Sequence, residues 1–284
     1  MSAVARPGAE AVVAVGKHLI SFEETRDILD YAFAAPTIND NDWRTWLAPL
    51  GYDHVAPATF AAVMPEGVQA RDFCIFCPET GLKLALFIKG EQIMITFGAL
   101  NATASEVPVG ERRTYLRGTI WSAISNLASR KPIIFDRAVD IIRRLQAHDF
   151  CVGREIILTG QSFGGGVSSY VALVTDLKAY CFNSLPLGAW VEAEVGAERR
   201  ELAARKITQL TVLGDWLSDT TVPAVVGLFS RIHVPGRRVY MASAYPRSAI
   251  DTHTLLVGSM LCSLGFEDSA RPSDILPRLR GDRA

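Results

Sequence analysis

Ser162 lies between Gly160 and Gly164 in the stretch REIILTGQSFGGGVSSYVALV, where an apolar β-like run gives way to a small-residue helical one. A serine hydroxyl is a weak nucleophile until a turn exposes it and a base takes its proton. A sharp strand-to-helix turn does the first. It needs glycine two residues to either side, because side chains there would collide. Gly165 and Gly166 then let the helix pack close to neighbouring strands. The backbone N–H of Phe163, at the helix N-terminus, is aimed at the oxyanion that develops in acyl transfer. The pentapeptide alone says little, since glycine and serine are common. Its place between a strand and a helix gives it weight.

Such a serine needs a base and a carboxylate, each at the C-terminal end of a later strand. Asp215 ends ITQLTVLGD, and His253 lies in SAIDTHTLL after the last strand-like run. The imidazole takes the serine proton and returns it to the leaving group, while the carboxylate fixes its tautomer and stabilises the imidazolium. The order Ser162, Asp215, His253 is that of the α/β-hydrolases, unlike chymotrypsin or subtilisin. Two alternatives stand. His233, in RIHVPG, is a second base that would face solvent at the start of a strand, and Asp219 is a second acid that a helix N-cap before TTVPAVV explains equally well. His18 and His54 precede the nucleophile. His148 ends a helix, where a cation facing the dipole is the ordinary reading, and Asp251 reads as a loop or cap residue.

The elements that would hold these groups follow from periodicity. DFCIFC, LKLALFI and QIMITFGA are β-like runs separated by the turn material PETG and KGE, so an antiparallel meander is expected. Before it, Ser21 and Glu24 form a capping box, and FEETRDILDYAFAA has the spacing of a peripheral helix. From Phe135 the period changes. FDRAVDIIRRLQAH sets Val139, Ile142 and Leu145 on one helical face before the strand REIILTG. There follow a helix near Gly164, the strand AYCFNSL, a charged helix over Val191 to Arg205, the strand ITQLTVLGD, a further helix, the strand RVYMASA and the helix HTLLVGSMLCSL. Alternating strands and helices predict a mostly parallel central sheet with helices on both faces. Residues 1–16 read as a loosely ordered lead, 17–268 as one α/β domain, and 269–284 as a loose, charged tail.

Composition narrows the partners. The chain has 284 residues, 49% hydrophobic, with a formal charge of −1, so it can bury a large core and carries no basic footprint for nucleic acid. MSAVARPGAE lacks the features of a Sec signal, and the longest apolar runs are too short to span a bilayer. The expected location is the cytoplasm, or export by a route that needs no Sec signal. The five cysteines are odd in number and mostly sit in apolar strand-like segments, as reduced core residues do. CIFC does not read as a metal site. Positions i and i+3 of a strand face opposite ways, and there is no second pair. No cofactor is called for.

The chain resembles the class 3 (fungal-type) lipase family over roughly Gln69 to Leu264. TGQSFGGGVSSYVALV is similar to its T-G-H-S-L-G-G-A-L-A block, FNSLPLG to its F-N-x-P-G-x-G block, and TVLGDWLSD to its V-x-N-x-x-D-x-V-P. Gln161 stands where that family has histidine, Gly98-Ala99-Leu100 stands where it has R-G-T, and the proline of FNSLPLG comes one place late. The resemblance implies an α/β-hydrolase fold, a second oxyanion donor from the backbone N–H of Leu100, and a serine carboxylester hydrolase acting on an acylglycerol, a phospholipid or a smaller ester. It also implies transient contact with a lipid interface. The departures leave a second class of function open, a catalytically silent scaffold that binds a protein or ligand. In that family a lid follows the R-G-T position, which RTYLRGTIWSAISNLASRKP occupies here. Leu116, Ile120, Ile124 and Leu127 share one helical face, with Trp121 beside it. The stripe reads either as the core face of an ordinary surface helix or as a mobile cover over an acyl groove.

Overall fold

The computed structural model describes residues 17–40, 42–71, 73–98, 110, 112–227, 231–246 and 248–279. The N-terminal lead at 1–16, Ala99, Leu100 and the last five residues of the tail lie outside them. In chain order, α1 (Phe22–Asp40) and α2 (Trp43–Trp46) lead to β1 (Asp53–Val55). Next come β2 (Gln69–Ala70), β3 (Ile75–Cys77), β4 (Leu82–Lys89), β5 (Gln92–Phe97), α3 (Arg112–Leu127) and α4 (Ile133–Gln146). The nucleophile region is β6 (Glu155–Gln161) and α5 (Phe163–Thr175), followed by β7 (Lys178–Phe182), β8 (Leu187–Gly188), α6 (Trp190–Glu194) and α7 (Ala197–Lys206). The chain continues through β9 (Ile207–Val212), α8 (Thr221–Gly227), β10 (Ile232–His233), β11 (Arg237–Met241), α9 (Ala249–Thr254), α10 (Leu256–Ser263) and α11 (Pro272–Leu279).

One sheet has the order β11-β9-β7-β6-β5-β4-β3-β2, with β1 also paired to β4. The meander β2 to β5 is antiparallel, while β5, β6, β7, β9 and β11 run parallel. Parallel neighbours need crossovers, and helices supply them on both faces. The period-2 alternation separates two cores. Ile93, Ile95, Ile156 and Leu158 pack with α4 and α5, whereas Met94, Ile157, Leu210 and Val212 pack with α1 and α10. Cys77 belongs to the first core and Cys74 to the second, so their side chains lie on opposite sides of the sheet. The fold is α/β-hydrolase-like.

Four local expectations change. The helix read as peripheral, α1, is central. It lies across β5, β6 and β7, and Ala32, Phe33, Ala34, Ala35 and Ile38 are fully buried, because its second half is apolar on every side. The charged helix over Val191 to Arg205 is two helices, α6 and α7, since Val195 turns extended to bury its side chain and Gly196 follows it. The helix HTLLVGSMLCSL breaks at Leu255, between α9 and α10. The tail read as loose carries α11, whose Ile275 is buried in the core beside α1.

Candidate active site

Ser162 joins β6 to α5 with φ 58° and ψ −125°, a conformation that costs a non-glycine residue on the order of 1–3 kcal/mol. Backbone bonds hold it there. Its N–H donates to Phe182 O at 3.0 Å, and its carbonyl accepts from Leu185 N at 2.8 Å and Gly166 N at 3.2 Å. The flanking glycines are required by packing. A Cβ on Gly160 would lie 2.5 Å from the carbonyl carbon of Gly164, and one on Gly164 would strike the carbonyl oxygen of Phe97. Likewise a Cβ on Gly166 would lie 2.7 Å from Leu185 O, so α5 approaches the strand ends as closely as its backbone allows.

The structure brings Ser162, Asp215 and His253 together. His253 Nε2 is 2.9 Å from Ser162 Oγ, and His253 Nδ1 is 2.6 Å from Asp215 Oδ2. Asp215 is fully buried in the turn after β9, yet its second oxygen is well supplied. Oδ1 accepts from Leu217 N at 3.0 Å, Ser218 N at 2.6 Å and Ser218 Oγ at 2.8 Å. Three donors on Oδ1 and the His253 ring on Oδ2 hold this buried carboxylate in one orientation. The imidazole comes from α9, begun by the Ser248 cap, whose Oγ accepts from Asp251 N.

Sequence reasoning missed the group that fixes the backbone under His253. Asn183, buried just beyond β7, donates from Nδ2 to Thr252 O at 3.2 Å and His253 O at 3.4 Å, and its Oδ1 accepts from Val212 N at 2.8 Å. It thus ties the ends of β7 and β9 to α9. Gln161 adds a bond from Nε2 to His253 O at 2.5 Å. A polar residue ending an apolar strand run is the one signal that pointed to Asn183.

The alternatives go elsewhere. His233 faces solvent only in part. It sits in the short β10–β8 pair, half-buried, with Nε2 buried and unbonded, and burial together with Arg200 holds its pKa below the usual histidine range. The Asp219 carboxylate is not spent on capping α8. Its Oδ2 accepts from Gly214 N at 3.0 Å, and Oδ1 pairs with Lys17 Nζ. His148 lies just past the end of α4, where its Nδ1 accepts from Phe150 N at 3.2 Å. Phe163 opens α5, and first-turn N–H groups have no partner inside a helix.

Helix α3 is inverted over its middle. Thr119, Ser122 and Asn126 are buried, while Ile120, Trp121 and Ile124 are 40%, 58% and 51% exposed; of the apolar stripe, Leu116 is half-buried and Leu127 packs against the core, so only its middle faces outward. Asn126 anchors the helix. Its Nδ2 donates to Pro186 O at 2.7 Å, and its Oδ1 accepts from Gly188 N at 3.0 Å and Trp190 Nε1 at 2.9 Å. Near the site, Trp216 lies 5.5 Å from the His253 ring, and Trp216, Ile250 and Leu255 are exposed. Among the described residues no group of three or more His, Cys, Asp or Glu could hold a metal, and no helix is long and apolar enough to cross a membrane.

No protein-family model matches the sequence, and no curated protein matches it. Among solved structures the chain is similar to the Lip2 lipase from Yarrowia lipolytica, with 12% identity, a TM-score of 0.47, and coverage of 89% of this chain and 97% of that one. It is similar also to lipase II from Rhizopus niveus, with 11% identity, a TM-score of 0.44, and coverage of 78% and 82%. A Rhizomucor miehei lipase propeptide complex gives 10% identity, a TM-score of 0.45, and coverage of 90% and 83%. At such identities the fold assignment rests on the strand order and the elbow.

Proposed function

We propose that the protein is a serine carboxylester hydrolase that works through an acyl-enzyme on Ser162. The observation that carries this reading is the continuous line from Ser162 Oγ through the His253 imidazole to the buried Asp215 carboxylate, set on a strained elbow. In the first half-reaction Ser162 Oγ attacks the ester carbonyl carbon as its proton passes to His253 Nε2. The tetrahedral oxyanion is met by the N–H of Phe163 and, in this reading, of Leu100. Collapse breaks the C–O bond, and the alcohol leaves with the proton from His253. Water then attacks the acyl-enzyme by the reverse proton path and frees the acid. Asp215 keeps its charge throughout, balancing the transient imidazolium.

The substrate is read as lipid-like because apolar surface is left uncovered where a substrate would arrive. Trp216, Ile250 and Leu255 form an exposed rim beside His253. A second exposed apolar surface is the outward part of α3, Ile120, Trp121 and Ile124, on a helix whose sequence carries arginines and no acidic residue. Apolar exposure flanked by basic charge suits the surface of an aggregated or bilayer lipid.

The test is covalent. A fluorophosphonate probe is expected to label the protein and to leave Ser162→Ala and His253→Ala unlabelled while both stay folded. Because these residues act as a unit, the double variant should hydrolyse a model ester little worse than either single one. Full turnover by Ser162→Ala would sink the assignment. A folded wild type that never labels would point to the silent scaffold.

A further inference from the structure

Ser184 Oγ, His233 Nε2 and Arg238 Nε are all buried without a hydrogen-bond partner. The three residues come from the loop after β7, from β10 and from β11, far apart in sequence. All three line the same small pocket, of about 10 Å³, walled also by Ser169, Gln209, Thr211 and Ser218. Leaving one such group unpaired costs about 1–3 kcal/mol, so three facing one void calls for an occupant. Three of the other polar walls already donate elsewhere. Ser169 Oγ donates to Gly166 O at 2.9 Å, Gln209 Nε2 to Pro235 O at 3.2 Å, and Ser218 Oγ to Asp215 Oδ1 at 2.8 Å.

We propose that one buried water bridges Ser184, His233 and Arg238, and that Arg238, held by this water, is a positioning residue for Asp215. The volume is about what a single water needs, and two to four polar partners are what such a water requires. The valences fit. The water accepts from Arg238 Nε–H, donates to the His233 ring nitrogen and shares a bond with the Ser184 hydroxyl. Burial keeps the His233 ring neutral, with Arg200 reinforcing this and Glu192 opposing it, so Nε2 is free to accept. The link to the acid is short. With Nε fixed, the Arg238 guanidinium presents Nη2 to the carbonyl oxygen of Ser218, whose own N–H and hydroxyl both donate to Asp215 Oδ1. The base that chain order leaves idle thus serves from behind the acid.

The hydration stands apart from the ester-hydrolase reading, whereas its effect on turnover rests on that reading. A high-resolution crystal structure of the full chain is expected to show one water within hydrogen-bond distance of all three atoms. An empty cavity, or an anomalous peak there after a bromide soak, would overturn the proposal, the latter in favour of an anion. Arg238→Lys keeps the charge but loses the fork. It is expected to lower kcat about tenfold with KM unchanged. His233→Leu should do the same, and His233→Gln, which restores a polar atom facing the cavity, should recover most of the loss. The low-field proton resonance of the His253 Nδ1–Asp215 bond should move in Arg238→Lys and His233→Leu and return in His233→Gln. That signal reads Asp215 even in a protein that turns nothing over. An unmoved resonance in both variants would end the positioning role, whatever their activity.

Discussion

The elbow and helix α3 treat polarity in opposite ways. Around Ser162 the fold buries two polar groups, Asp215 and Asn183, and satisfies both. Asp215 and Asn183 are fully enclosed, and their hydrogen bonds run to named partners on three different elements. On α3 the fold also buries polar groups, but it turns Ile120, Trp121 and Ile124 outward. Each of these leaves part of the roughly 1.5–3 kcal/mol that full burial of a large apolar side chain would contribute. The first region spends its stability on holding a constellation still. The second withholds burial, which keeps apolar surface available to something outside the chain. On the proposed function, the contrast separates chemistry from contact, the first in a polar strand-end site and the second on an exposed helix face.

That separation can be tested at three depths. The largest effect is expected at the acid. Asp215→Asn should cut turnover about 10⁴-fold, since the imidazole would be held in the wrong tautomer, with little change in substrate binding. Asp219→Asn keeps an oxygen for Gly214 N but loses the ion pair with Lys17, and should cost about 1 kcal/mol of stability. The reverse pattern in kcat would hand the role to Asp219. A smaller effect is expected at the brace. Asn183→Ala strands the buried Val212 N–H and should lower unfolding stability by about 1–3 kcal/mol, read from a denaturant midpoint. An unchanged midpoint would mean the enclosed polar groups do not hold the site. The smallest effect on stability is expected at α3. Trp121→Ser should change it by no more than about 0.5 kcal/mol, as exposed substitutions do. The same variant should blunt the rise in rate as a long-chain ester aggregates, and leave a short soluble ester unaffected. A Trp121→Ser protein that unfolds would return the stripe to the core and dissolve the contrast.

Sequence periodicity carried the sheet well, because alternation in a strand has only two phases and both faces here are covered. QIMITFGA was read as a β-like run, and in the fold Ile93 and Ile95 lie on one side with Met94 on the other. The elbow was legible for a steric reason, since few residues other than glycine tolerate a backbone carbonyl at the distances found for Gly160 and Gly164. Helical period, in contrast, tells which residues share a face and not which way that face points. Ile120 and Ile124 were grouped correctly, yet their direction depends on Asn126 reaching Pro186 and Gly188 some 60 residues away. The depth of α1 was hidden because its polar first turns looked amphipathic. Asn183 was hidden because a single buried amide has no period at all.

The reach of the His253–Ser162 contact has a consequence for how the molecule comes into being. The two residues are 91 positions apart, and Asp215 is 38 from the histidine. A chain made from its N-terminus therefore completes the elbow, with β6, β7 and α5 able to pair, well before the imidazole has been synthesised. At roughly 5–20 residues per second, several seconds pass in between. Throughout that interval the hydroxyl has a shaped turn and no base. On the proposed function, the nascent protein would carry its nucleophile unarmed, and competence would arrive in one late step, when β11 joins the sheet edge and α9 closes over the strand ends.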